Sequence, residues 1–185
     1  MNVTFITSNQ HKADLFAEYM GRDIQHKKLD LDEIQSLQLR EVVEHKVKEA
    51  FAVIKEPTLV EDVALTLNVL KGLPGPFVKW FEKTIGLEGI CRLLDNYSDR
   101  GAKVSVCYGY FDGNNLHFFE GEVEGTITTD VRKGPSGFGW NPIFQPNGYD
   151  KTYAEMTENE QARAGLRATT VYPRLKEFLA GLDKA

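Results

Sequence analysis

Apolar positions in this chain fall into short β-branched runs that alternate with stretches of helical spacing. Val3–Thr7 is a β-branched run closed by Ser8-Asn9, and over Lys12–Met20 the residues Leu15, Phe16 and Tyr19 share one helical face. The pattern predicts strand, loop, helix. Ile24–Leu29 reads as a second strand with the acidic exit Asp30-Leu31-Asp32-Glu33. From Leu37 to Ile54, apolar residues recur at Leu39, Val43, Val47, Ala50, Phe51 and Ile54, the spacing of an amphipathic helix. Pro57–Leu67 reads as a long strand, and Pro76–Tyr97 as mostly helical with a break at Gly86. Lys103–Phe111 and Leu116–Ile127 straddle Asp112-Gly113-Asn114-Asn115, a hairpin signal. The last element is expected from Glu158 to Leu182, bent or restarted at Pro173. Helices alternating with strands, interrupted by a hairpin, predict an α/β fold with a mixed sheet flanked by helices. With no internal repeat and no Pro-, Gly- or Ser-rich linker, residues 1–185 are expected to form a single domain.

Composition narrows the function. The chain has 185 residues, 42% hydrophobic and 26% charged, enough for one domain with its own core. The net charge of −5 argues against a nucleic-acid polymer as partner, because binding a phosphate backbone normally needs a basic surface. Cys91 and Cys107 stand alone, without paired or metal-type spacing, and read as reduced, buried thiols. No run approaches the length of a membrane span and no charged-then-apolar leader opens the sequence, so no membrane partner and a cytoplasmic location are expected.

Several residues could do chemistry. The Ser8–Lys12 turn feeds backbone amides into a helix amino terminus, where unpaired N–H groups and the helix dipole favour an anion such as phosphate. Thr7 and Asn9 would add side-chain donors and Lys12 a positive charge; the alternative is that Ser8 or Asn9 merely caps the helix. Glu33, Glu61 and Asp62 are candidate ligands for a hard cation such as Mg²⁺, which prefers oxygen. Carboxylates inside the apolar run Leu59–Leu67 cost several kcal/mol unless paired or metal-bound, unless the strand stops near Val60 and leaves both in a solvated turn. Lys46 flanks the apolar stripe of its helix, where its stem can pack while its head reaches a groove. Lys79 follows the stiff Gly72-Leu73-Pro74-Gly75-Pro76 loop. In Ser136-Gly137-Phe138-Gly139-Trp140-Asn141-Pro142-Ile143-Phe144, Phe138 and Trp140 would face one side of an extended segment as walls of a base-sized slot, or would simply pack in the core.

That last segment, continuing through Gln145–Met156, resembles the GFGYDPIF…KTFAEM signature of the Ham1-like inosine triphosphate pyrophosphatase family. Thr7–Lys12 is similar to its T-[GS]-N-x-x-K element, Leu59–Leu65 to its acidic strand, and Gly72–Phe81 to its G-x-PG-x-[FY] loop. The four pieces are colinear over nearly the whole chain. The resemblance implies an elongated sheet with a nucleotide-binding cleft between two lobes, and a homodimer. It also implies Mg²⁺-dependent cleavage of nucleoside triphosphates, deaminated purines among them, to the monophosphate and pyrophosphate. By that resemblance Asp62 is the catalytic acid, Glu33 and Glu61 join it at the metal, and Lys12, Lys46 and Lys79 hold the phosphates. Phe138, Gly139, Trp140 and Asn141 hold the base. The chain departs from the family at two places: Asn141 stands where aspartate is usual, and the Ser-His-Arg triplet is absent from Thr157–Ala168. Arg163 and Arg167 are the basic residues left there, and altered base specificity or nucleotide binding without turnover are the alternatives.

Overall fold

The computed structural model describes residues 3–21 and 23–182, except the side chain of His11. The bounds of the expected domain, Met1 and Ala185, lie outside the described residues. Along the chain run β1 (Thr4–Ile6), α1 (Gln10–Met20), β2 (His26–Lys27), α2 (Leu39–Ile54) and β3 (Thr58–Leu67). β4 (Pro74–Gly75), α3 (Val78–Arg92), β5 (Gly101–Phe111), β6 (Leu116–Ile127) and β7 (Phe144–Pro146) follow, then α4 (Glu158–Ala164), α5 (Leu166–Thr170) and α6 (Tyr172–Leu182). The strands form one seven-stranded sheet in the order β2-β1-β3-β5-β6-β7, with β4 paired to β3 off that path. β1 is parallel to β2 and β3, whereas β3–β4 and β6–β7 are antiparallel, so the sheet is mixed as expected. No helix among the described residues is long and apolar enough to cross a membrane.

Two expectations change. The strand foreseen over Ile24–Leu29 shrinks to His26–Lys27, both exposed, while the apolar ends of the run, Ile24 and Leu29, are buried or half-buried outside the pairing. The final helix is three helices: Gly165 takes an extended backbone, φ −67° and ψ 133°, between α4 and α5. Pro173 then stands second in α6, where its missing N–H removes no intrahelical bond. Gly86, at φ 70° and ψ 176°, kinks α3 where the break was expected.

The chain forms two compact units. The first gathers the described residues of the stretches 1–62, 106–120 and 171–185. Its core sets Val43, Val47 and Ala50 of α2 against Ile6, Val60 and Cys107, the stripe that spacing picked out in α2. Beside them Phe5, Phe16, Tyr108 and Tyr172 pack ring on ring, Phe16 stacking on Tyr108 at 5.8 Å between centroids. The second unit gathers residues 63–105 and 121–170. There the Arg100 guanidinium donates to the carbonyls of Cys91, Ile127 and Thr128. A Cβ on Gly125 would lie 2.3 Å from the Gln145 carbonyl oxygen, so β6 meets β7 at a point where only a bare Cα fits.

Candidate active site

The turn after β1 is an Asx-capped helix start. Thr7 Oγ1 accepts the Asn9 N–H at 3.1 Å, and Asn9 Oδ1 accepts the Lys12 N–H at 3.2 Å. Asn9 is therefore the N-cap of α1, and the capping role exists whatever else the turn binds. Lys12 reaches forward from that first turn, its Nζ donating to Glu61 Oε1 at 3.0 Å. The Glu61 side chain is 2% exposed, and its second oxygen accepts from the Tyr108 hydroxyl at 2.7 Å. A carboxylate withdrawn this far from water is tolerated because an ammonium and a phenol take over its hydration. Sequence reasoning missed Tyr108; its only signal was a phenol one residue past Cys107, within a strand otherwise fit for the core.

Asp62 points the other way along β3, as alternation demands. β3 runs unbroken to Leu67, so both acids lie inside the strand and not in a turn after Val60. Lys46 Nζ donates to Asp62 Oδ2 at 2.6 Å and to Glu33 Oε1 at 3.1 Å, with only 13% of the lysine side chain exposed. Burial alone would lower the Lys46 ammonium, but the Asp62 and Glu33 carboxylates outweigh it and hold the group above its ordinary value. The stem packs on α2 while the head pairs, as its place beside the stripe suggested. Lys12, Lys46, Glu33, Glu61 and Asp62 thus form two lysine–carboxylate clusters within the first unit.

The expected base residues and Lys79 belong to the second unit. Lys79 is exposed at the start of α3. The aromatic segment is not extended: the Asn141 N–H bonds the Phe138 carbonyl at 3.1 Å and the Ile143 N–H bonds that of Trp140 at 3.0 Å. Those turns separate the rings that an extended chain would have set side by side. Phe138 is 46% exposed, whereas Trp140 is 7% exposed and packs at 5.7 Å from Phe144 and 6.2 Å from Tyr153. Gly139 sits between them at φ 53°, a left-handed conformation that suits glycine. The Asn141 amide donates to Ser136 Oγ at 3.3 Å, closing the loop on itself. Glu82, also unforeseen, places Oε1 3.5 Å from where a Gly139 Cβ would stand, and burial pushes its carboxyl above the usual range. Arg163 is exposed on α4 and Arg167 half-buried on α5.

A mixed α/β sheet with an Asx-capped helix start after β1 and two lysine–carboxylate clusters at one interior strand defines the class: an α/β protein with charged pairs gathered at its sheet. The chain belongs to the Ham1 family, whose model matches residues 3–174. It is 38% identical over 182 residues to the inosine triphosphate pyrophosphatase of Schizosaccharomyces pombe, covering 96% of this chain and 95% of that one. It is 38% identical over 181 residues to the dITP/XTP pyrophosphatase of Thermococcus kodakarensis, with 96% and 95% covered. The fold is also that of the Staphylococcus aureus Ham1 protein, with a TM-score of 0.82 at 22% identity over 97% of this chain and 99% of that one.

Proposed function

We propose that this protein is a nucleoside triphosphate pyrophosphatase that acts on deaminated purine nucleotides such as ITP, dITP and XTP. Its relatives bear the names inosine triphosphate pyrophosphatase and dITP/XTP pyrophosphatase. The observation that supports the chemistry best is the pairing of Lys12 and Lys46 with the adjacent carboxylates Glu61 and Asp62 of β3. Water attacks the α-phosphorus, Asp62 accepts its proton, the α–β bridging bond breaks, and pyrophosphate leaves with the bond's electrons. Lys12, Lys46 and Lys79 hold phosphate oxygens, Thr7 and Asn9 line the turn, and Phe138, Gly139, Trp140, Asn141, Arg163 and Arg167 serve the base side.

The Asp62 carboxylate is engaged by the Lys46 ammonium at 2.6 Å. Phosphate oxygens must draw Lys46 away before Asp62 can take a proton, so substrate binding itself frees the base. Mg²⁺ fits Glu33 and Asp62, which already share one cation, the Lys46 ammonium, and offer hard oxygen ligands; Glu61, expected beside them, faces the other side of β3 against Lys12 and Tyr108. When bound, the metal neutralises charge developing on the phosphates. The reading extends to one domain over residues 1–185, a cytoplasmic location, and a homodimer, with which the aromatic Phe77–Phe81 segment, where Trp80 is 55% exposed, is compatible.

The test is pyrophosphate release from ITP with Mg²⁺ present. Asp62→Asn should cut kcat by at least about a hundredfold in a chain that keeps its melting temperature. Near-native kcat in that variant sinks the mechanism; a wild-type chain that binds ITP but releases no pyrophosphate replaces turnover with binding.

A further inference from the structure

The loop that carries Phe138 and Trp140 spends its polar groups on itself. The Asn141 amide donates to Ser136, Gly139 has no side chain, and Trp140 packs against Phe144 and Tyr153. The family's Ser-His-Arg triplet is absent as well. A group from another element stands beside the loop instead. Glu82 Oε1 lies 3.5 Å from the place a Gly139 Cβ would take, so this carboxyl meets the loop at its bare, left-handed residue. Glu82 follows Lys79 by three positions in the regular part of α3, before the Gly86 kink, so one helix face carries both.

Glu82 is idle in the fold. It is half-buried and makes no hydrogen bond or ion pair among the described residues, and burial alone pushes its carboxyl up. The adjacent Lys83 lies over the Trp80 ring at 5.4 Å and does not neutralise it. A carboxyl withdrawn from water without a partner costs stability, and a ligand that brings an N–H donor offsets that cost.

We propose that Glu82 reads the base of the nucleotide by accepting the ring N1–H that 6-oxopurines carry and adenine lacks. This inference rests on the nucleotide site proposed at Phe138–Asn141 and adds the group that selects among bases there. Phe138, 46% exposed and next to Gly139, offers a stacking face that tolerates any base, so selection falls to the edge contact. A carboxylate only accepts hydrogen bonds. Adenine sets the N1 lone pair against it and leaves it unpaired, the arrangement by which a site rejects an analogue that lacks a donor. Hypoxanthine, xanthine and guanine all present N1–H, so Glu82 separates them from adenine and not from one another.

The experiment compares the whole chain with Glu82→Ala and Glu82→Gln in two ways: kcat/KM for ITP and ATP with Mg²⁺, and calorimetric affinity for IMP and AMP. Each substitution should lower the ITP:ATP ratio and the IMP:AMP ratio by at least about tenfold without a fall in melting temperature. Glu82→Gln should lower them further, because its amide can donate to adenine N1 and accept from the 6-amino group. Ratios that stay at wild-type values in both variants overturn the inference. A wild-type chain that binds IMP but releases no pyrophosphate from ITP removes the proposed turnover instead, and the IMP:AMP ratio then decides the role of Glu82 alone.

Discussion

Glu61 is nearly sealed from water and held by two donors, so Lys12 has a structural duty beside its proposed contact with phosphate. Lys12→Ala should cost about 1–3 kcal/mol of stability by leaving a buried acceptor half satisfied. It should also lower kcat/KM by a similar free energy. Adding Glu61→Gln should restore most of the melting temperature but none of the catalytic efficiency; joint recovery of both would reduce Lys12 to a packing residue. Asn141 raises a second residue-scale expectation. Its amide is spent on Ser136, and the usual Ser-His-Arg triplet is missing, so few groups remain to reject a wrong base. Under one Mg²⁺ concentration, kcat/KM for ITP and XTP should exceed that for GTP and ATP by less than about a thousandfold. A larger ratio would show that other side chains have taken over base reading. Glu61 and Asp62 were legible because charge inside an apolar strand is rare, whereas Lys12, Lys46, Lys79 and Glu33 were grouped by the family resemblance, and the structure leaves Glu33 in a loop and Lys79 exposed. Tyr108 and Glu82 were not, because a tyrosine in a strand and a glutamate in a helix look ordinary until a neighbour is known.

Elements with a long, clean period were readable from sequence. The stripe of α2 buried Val43, Val47 and Ala50 as its spacing required, and the Asp112–Asn115 turn joins β5 to β6. Short or interrupted elements were not readable. Whether Phe138 and Trp140 lie in a strand or in turns is decided by hydrogen bonds among residues 138–143, which no periodicity encodes. Nor does the sequence signal that Gly165 leaves the helix when its neighbours could continue it. The β6–β7 contact offers the element-scale test. Gly125→Ala puts a methyl group against the Gln145 carbonyl and the Phe144 ring, so one strand must shift. Overpacking of this kind costs about 1–3 kcal/mol. At about 2–4 °C per kcal/mol for a chain of this size, calorimetry should detect it. An unchanged melting temperature would mean that β7 yields freely at this point.

At the scale of the molecule, buried titrating groups set an alkaline limit. Burial, reinforced by Glu120 and Asp62 and opposed by Arg40, pushes the Cys107 thiol from an ordinary 9.0 up to about 12. The folded chain keeps that proton where the unfolded chain has lost it, so stability falls as pH rises from about 9 through about 12. Lys46, also raised, acts in the same direction: its contribution is complete below 10.5 and lost as pH climbs through its higher folded value. The melting temperature should therefore drop between neutral pH and about pH 10, and drop less in Cys107→Ala. Equal drops would remove Cys107 as a source. The interleaving of the two units has a different consequence. Every residue of the second unit precedes position 171, whereas the first unit is completed by α6, whose Tyr172 ring packs at a tilt against Tyr19 and whose Lys176 donates to the Tyr19 carbonyl. On the ribosome, α1 must wait for α6 to emerge. The half of the molecule that bears Lys12, Glu61 and Asp62 is thus the half that a prematurely terminated chain can never finish.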